Sequence, residues 1–169
     1  GLDTDLPPEV QEFLSKETHG AVIDGEEVMA SDGGTFDTHD PGSGKKLATV
    51  ANLTGEDVER AVAVAQRAFD KNDWARMPAG ERCAYLLRLA DEVEKRKAII
   101  AQIESLDCGK IYEQAIADVE NFIETHRYFA DLAQNLELRT VIDVQEHEAA
   151  VVRHPWGPCG FIIPWNFPF

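Results

Sequence analysis

The run Gly157-Pro158-Cys159-Gly160-Phe161-Ile162-Ile163-Pro164-Trp165-Asn166-Phe167-Pro168-Phe169 organises the reading of the whole chain. Gly160 to Ile163 reads as a short apolar strand, and Pro164 stops it because proline has no N–H with which to continue a ladder. Trp165 and Asn166 are then displayed at the strand's carboxyl end, where open α/β sheets bind their ligands. Residue type alone leaves Asn166 a second reading, since Asn is a common turn residue and could simply cap a strand-to-helix turn.

Working outward, Leu138, Thr140, Ile142 and Val144 alternate with charged or branched residues, and Ala149 to His154 form a second extended run after the polar Glu146-His147-Glu148 reversal. Residues 137–155 therefore predict a hairpin, and such a ribbon is marginal unless it packs on something. Ile111 to about Asn135 predicts the longest helix, with Ile111, Ala115, Val119, Phe122, Ile123, Phe129 and Ala133 on one stripe. At 1.5 Å per residue it is roughly 37 Å long. Ala98 to Leu106 continues helically until Gly109 terminates it. A helix from about Ala79 to Arg96 is expected to bury Leu86, Leu89, Ala90 and Val93.

Thr54 can cap a further helix, with Glu56 and Asp57 in its first turn and Val58, Ala61, Val62, Ala65 and Phe69 at helical spacing. Thr35 to Thr38 and Lys46 to Ala51 predict two strands joined by Asp40-Pro41-Gly42-Ser43-Gly44. The Gly-Ser-Gly-Lys there lacks Walker spacing and reads as a plain turn. Asp24-Gly25 between apolar pairs in Val22 to Val28 signals a hairpin. Glu9 to Lys16 is a short helical candidate within an N-terminal extension, residues 1–20.

Lys and Arg number 16 against 31 Asp and Glu, a formal charge of -15. That field would repel nucleic acid and anionic membranes, so neither is an expected partner. No stretch approaches the roughly 18 apolar residues of a membrane span, no signal peptide opens the chain, and a soluble cytoplasmic protein is expected. Gly1 in place of Met reads as a trimmed or appended end. Cys83, Cys108 and Cys159, an odd count without Cys-x-x-Cys spacing, predict free thiols packed as small apolar residues. His19, His39, His126, His147 and His154 show no metal-ligand spacing, and His126 is expected as a hydrogen-bonded residue at the core edge.

Phe161-Ile162-Ile163-Pro164-Trp165-Asn166-Phe167-Pro168 resembles the motif that opens the cofactor domain of the NAD(P)-dependent aldehyde dehydrogenases. The resemblance extends back through Glu104-Ser105-Leu106-Asp107-Cys108-Gly109-Lys110, Leu89-Ala90-Asp91, Trp74 with Pro78-Ala79-Gly80-Glu81-Arg82, Glu56-Asp57-Val58, Asp40-Pro41-x-x-Gly44 and Ile23-Asp24-Gly25. The Glu104–Lys110 wording leans towards the betaine-aldehyde and aminoaldehyde branch. An α/β fold is implied, specifically the N-terminal part of an aldehyde dehydrogenase. Residues 21–136 would be hairpins and helices of the cofactor domain, 137–155 an oligomerisation hairpin, and 156–169 the first strand of a Rossmann-like parallel sheet.

In the resembled reaction a cysteine thiolate attacks an aldehyde, the thiohemiacetal oxyanion collapses with hydride transfer to NAD or NADP, and water hydrolyses the thioester. Asn166 matches the oxyanion donor, whose carboxamide offers two N–H groups and no charge. By the same resemblance Ile162, Ile163, Pro164, Trp165 and Asn166 contact the cofactor, and Phe167 faces the aldehyde tunnel. Its ring would suit an apolar chain or a trimethylammonium head, or could serve ordinary packing. Asp107 matches a ligand of a structural monovalent cation in some members, or is a solvated helix-terminal carboxylate.

The family's nucleophile and general base match no residue of this sequence, so these 169 residues alone are expected to be inactive. The implied partners are an aldehyde and further copies of the chain, as homodimer or homotetramer. The alternative is a non-catalytic chain of the same fold serving as a binding or assembly module.

Overall fold

Asp24 and Gly25 both adopt positive φ, 59° and 81°. This is the two-residue turn whose twist matches a hairpin, and it joins β1 (Ala21–Ile23) to β2 (Glu26–Val28). The computed structural model describes residues 6–71 and 73–169, so Gly1 and the start of the expected extension lie outside the described residues. Ahead of the hairpin lies α1 (Pro8–Leu14), and behind it come β3 (Thr35–His39) and β4 (Lys46–Ala51). Helices α2 (Gly55–Lys71), α3 (Asp73–Arg76), α4 (Ala79–Lys95), α5 (Lys97–Cys108) and α6 (Tyr112–Gln134) follow, then β5 (Arg139–Val144) and β6 (His147–Val152). Among the described residues the strands form three separate antiparallel pairs, and no helix is long and apolar enough to cross a membrane.

The turn between β3 and β4 is built by Asp40, which is 6% exposed. Its carboxylate accepts from Gly42 N (2.8 Å) and Ser43 Oγ (2.6 Å), and its carbonyl accepts from Gly44 N (2.7 Å). The start of α2 is a reciprocal cap: Thr54 N donates to Asp57 Oδ2 (2.8 Å), and Asp57 N to Thr54 Oγ1 (3.4 Å). Ser31 N also donates to both Asp57 oxygens, at 3.2 and 3.1 Å, so the cap ties the preceding loop to the helix.

The core lies where α6 crosses α4 and α5. Ala90, Val93, Ala101, Ala115, Val119 and Ile123 are buried together, with Ile100, Ile116 and Phe122 around them. Ala90, Ala101 and Ala115 are fully buried and bring only a methyl group to this contact. A smaller cluster of Val10, Leu47 and Leu106 fixes α1 and β4 against α5.

Several expectations are corrected. Leu89 is 44% exposed, and on α4 it is Cys83 that joins Ala90 and Val93 inside. Ile111 (70%) and Phe129 (54%) leave the α6 stripe, whose buried residues are Ala115, Val119, Ile123 and Ala130. Val58 and Val62 on α2 are more than half exposed, because no described element covers that face. The β5–β6 reversal is Gln145-Glu146, with Glu146 at φ 62°, and His147 and Glu148 already belong to β6. Cys83 is buried as expected, but Cys108 is half-buried and Cys159 exposed.

Gly160 to Ile163, expected as the first strand of a parallel sheet, has no ladder partner among the described residues, and Ile162 is 100% exposed. Hydrogen-bond partners, not apolar character, make a strand.

Candidate functional site

Gly109 ends α5 at φ 73°, the left-handed cap that glycine adopts without strain. Its N–H donates to Ser105 O (3.1 Å), and Ser105 Oγ donates to Lys110 O (2.7 Å). The reversal turns Lys110 back towards Glu104 of α5 and Asp118 of α6. Lys110 Nζ donates to Glu104 Oε1 (2.7 Å) and to Asp118 Oδ2, with the Lys110, Glu104 and Asp118 side chains 11%, 3% and 13% exposed. Burial alone would lower the Lys110 pKa, but its bonds to Asp118 and Glu104 outweigh that and raise it. The Lys110 bond holds the Asp118 carboxyl below its ordinary range. Glu104 Oε2 is buried and accepts no hydrogen bond among the described residues.

Above this cluster sits the Pro164–Phe167 turn, closed by Phe167 N donating to Pro164 O at 3.2 Å. Trp165 (89% exposed) and Asn166 occupy its two central positions, and Asn166 is also exposed. Lys110 Nζ lies 4.5 Å from the centroid of the Phe167 ring. Two residues on, the Phe169 ring packs on Phe122 with centroids 4.8 Å apart. Phe122 in turn stacks on His126 at 3.9 Å, and His126 Nδ1 is 2.8 Å from Phe122 O, the core-edge role expected of that histidine.

Ile162, Ile163, Pro164, Trp165, Asn166 and Phe167 thus share one exposed segment. Their side chains are apolar except for the one uncharged amide of Asn166. Asp107 is exposed, its Oδ1 accepts from Thr38 Oγ1 (2.6 Å), and it shares an apolar cavity of about 320 Å³ with Ile103, Pro168 and Phe169. Among the described residues no three His, Cys, Asp or Glu side chains group as metal ligands.

Sequence reasoning singled out Glu104 to Lys110 as a landmark but assigned Glu104, Lys110 and Asp118 no role. The available signal was an acid and a base on opposite sides of a helix-ending glycine, with a second acid beside the apolar stripe of α6.

Residues 28–169 match the model of the aldehyde dehydrogenase family. The mitochondrial benzaldehyde dehydrogenase of Antirrhinum majus is 43% identical over 148 residues, 87% of this chain and 28% of that protein. A putative aldehyde dehydrogenase of Bacillus subtilis is 40% identical over 148 residues, 86% of this chain and 30% of its own length. Among solved structures, betaine aldehyde dehydrogenase from Staphylococcus aureus in complex with NAD+ superposes with a TM-score of 0.79 at 31% identity, covering 85% of this chain and 29% of that one. The chain therefore spans less than a third of the length of these relatives. With the Pro164–Phe167 turn and the α4–α6 core both inside the matched residues, this chain belongs to the aldehyde dehydrogenase family.

Proposed function

We propose that this chain supplies part of an NAD(P)-dependent aldehyde dehydrogenase, which oxidises an aldehyde to a carboxylate through a thioester on a cysteine that matches none of Cys83, Cys108 and Cys159. The observation that carries the reading is the turn that presents Asn166 to solvent, within the residues matched to the family. An aldehyde attacked by a thiolate develops negative charge on its oxygen. The Asn166 carboxamide donates N–H to that oxygen without forming an ion pair that would trap it. Ile162, Ile163, Pro164 and Trp165 form a wall against the dinucleotide, which accepts the hydride when bound. One face of Phe167 is taken by Lys110, and the ring is 52% exposed, so its other face can line the aldehyde path. Asp107 keeps a carboxylate oxygen beyond its Thr38 bond for a monovalent cation.

The test is aldehyde-dependent NADH formation by the polypeptide that joins this chain to the nucleophile. Asn166→Ala should lower kcat by about 10²- to 10³-fold, the loss of about 2.7–4 kcal/mol of oxyanion stabilisation. Unchanged turnover would remove the role given to Asn166. The 169 residues alone should show no turnover and weak NAD binding, since one wall cannot enclose a dinucleotide.

A further inference from the structure

We propose that Lys110 is a positioning residue: clamped between Glu104 and Asp118, its ammonium seats the Phe167 ring and so orients the Asn166 carboxamide. The inference rests on the oxyanion reading of Asn166 and adds the group that makes that donor preorganised.

The exposed turn receives little orientation from burial of its own residues, with Trp165 89% and Phe167 52% exposed. Its anchorage comes from below, through Lys110 under Phe167 and Phe122 against Phe169. Of the two, the Lys110 contact lies next to Asn166 in sequence. The hydrogen bond from Phe167 N to Pro164 O makes residues 164–167 one closed unit, so fixing the Phe167 ring limits rotation of Asn166 as well.

An ammonium attracts an aromatic face strongly only when it is poorly hydrated and held in place. Lys110 meets both conditions. Its side chain is 11% exposed, and carboxylates from two different helices, α5 and α6, hold it from separate directions. Its ammonium has three N–H donors, and with Glu104 and Asp118 each taking one, the ring face is its remaining contact. Two carboxylates face the one ammonium, so the lysine is held in its place electrostatically as well as sterically. An oxyanion donor gains from such fixation because it then needs no reorganisation as charge develops.

The experiment has a structural and a kinetic arm. In this chain, the Lys110 ε-methylene protons should show an upfield ring-current displacement by NMR. Phe167→Leu, which leaves the ion cluster intact, should abolish it and shift the Asn166 side-chain amide signals. Lys110→Met should displace the Phe167 and Asn166 signals, and Lys110→Arg should restore them, because a guanidinium also pairs with carboxylates and stacks on a ring. In the active polypeptide, Lys110→Met should lower kcat by about 10- to 100-fold with little change in KM for aldehyde, the mark of a misplaced group.

Absence of the upfield displacement, or Asn166 signals unmoved in Phe167→Leu, overturns the proposal. Should Lys110→Met fail to fold, the Phe167→Leu arm decides by itself. If the NMR arm holds while Asn166→Ala leaves turnover unchanged, the oxyanion reading has failed and the Lys110–Phe167 anchor stands.

Discussion

Gly109 is the residue on which the site's geometry turns. Its φ of 73° costs a residue with a Cβ about 1–2 kcal/mol, and an added Cβ would lie 2.8 Å from Pro41 Cγ, closer than real Cβ contacts come. Gly109→Ala therefore adds backbone strain to a clash with the β3–β4 turn. We expect the unfolding free energy to fall by at least the backbone cost of about 1–2 kcal/mol, read as a lower urea midpoint at unchanged m. The Lys110 ring-current displacement should also weaken, because the reversal that aims the lysine is disturbed. An unchanged midpoint would show that the α5 terminus tolerates another cap.

At the scale of elements, β5–β6 differs from the other hairpins. All of β5 is exposed, with Val141 at 63% and Ile142 at 44%, and in β6 Val151 and Val152 are 44% and 48% exposed. Both faces thus carry uncovered apolar side chains, and the ladder is otherwise regular, from Arg139↔Val152 to Val144↔His147. A two-stranded ribbon of this kind is marginal alone and offers free edges for pairing. The homo-oligomer implied by the family resemblance would cover it. Sedimentation should then show a dimer or larger species, and Val141→Lys should shift it towards monomer; equal sedimentation of the two proteins counts against the hairpin as the interface.

Across the whole molecule, acid acts in two directions. Protonation relieves self-repulsion in a chain of formal charge -15. It also removes carboxylates that the fold uses ionised. Hydrogen bonds from Thr54 N and then Ser31 N hold Asp57 below the ordinary Asp value of 3.8, and the Lys110 bond does the same for Asp118. Lys95 and then Arg96 hold Glu92 at about 2. A folded-state pKa below the unfolded one means that the unfolded chain binds more protons in that window, so stability falls as pH falls. The contribution is complete above the unfolded values, near 3.8 for Asp and 4.5 for Glu, and is lost as pH drops through the folded ones. Urea midpoints should change little from pH 7 to 5 and drop below about pH 4. Asp57→Asn should flatten part of that drop, and an equally steep fall in the variant would remove Asp57 from the account.

Wherever one residue's conformation or a short period suffices, the sequence is informative by itself. Asp24-Gly25 specifies its turn, Thr54 with Asp57 caps α2, Gly109 stops α5, and the α4 and α6 periods yield helices within a few residues of the expected ends. The ordered motifs likewise carry the family. What needs a second element cannot be read so. Leu89 and Phe129 look as apolar as their buried neighbours, and only the packing of α4, α5 and α6 decides that Ala90 and Ala130 face inward while they do not; Val58 on α2 stays exposed because no described element covers it. Gly160 to Ile163 has a strand's composition, yet a strand is a relation between two backbones, and no described strand pairs with it. The Glu104–Lys110–Asp118 cluster beneath Phe167 joins residues from α5, α6 and the 164–167 turn; it exists only because a left-handed glycine and a helix crossing bring them within hydrogen-bond reach.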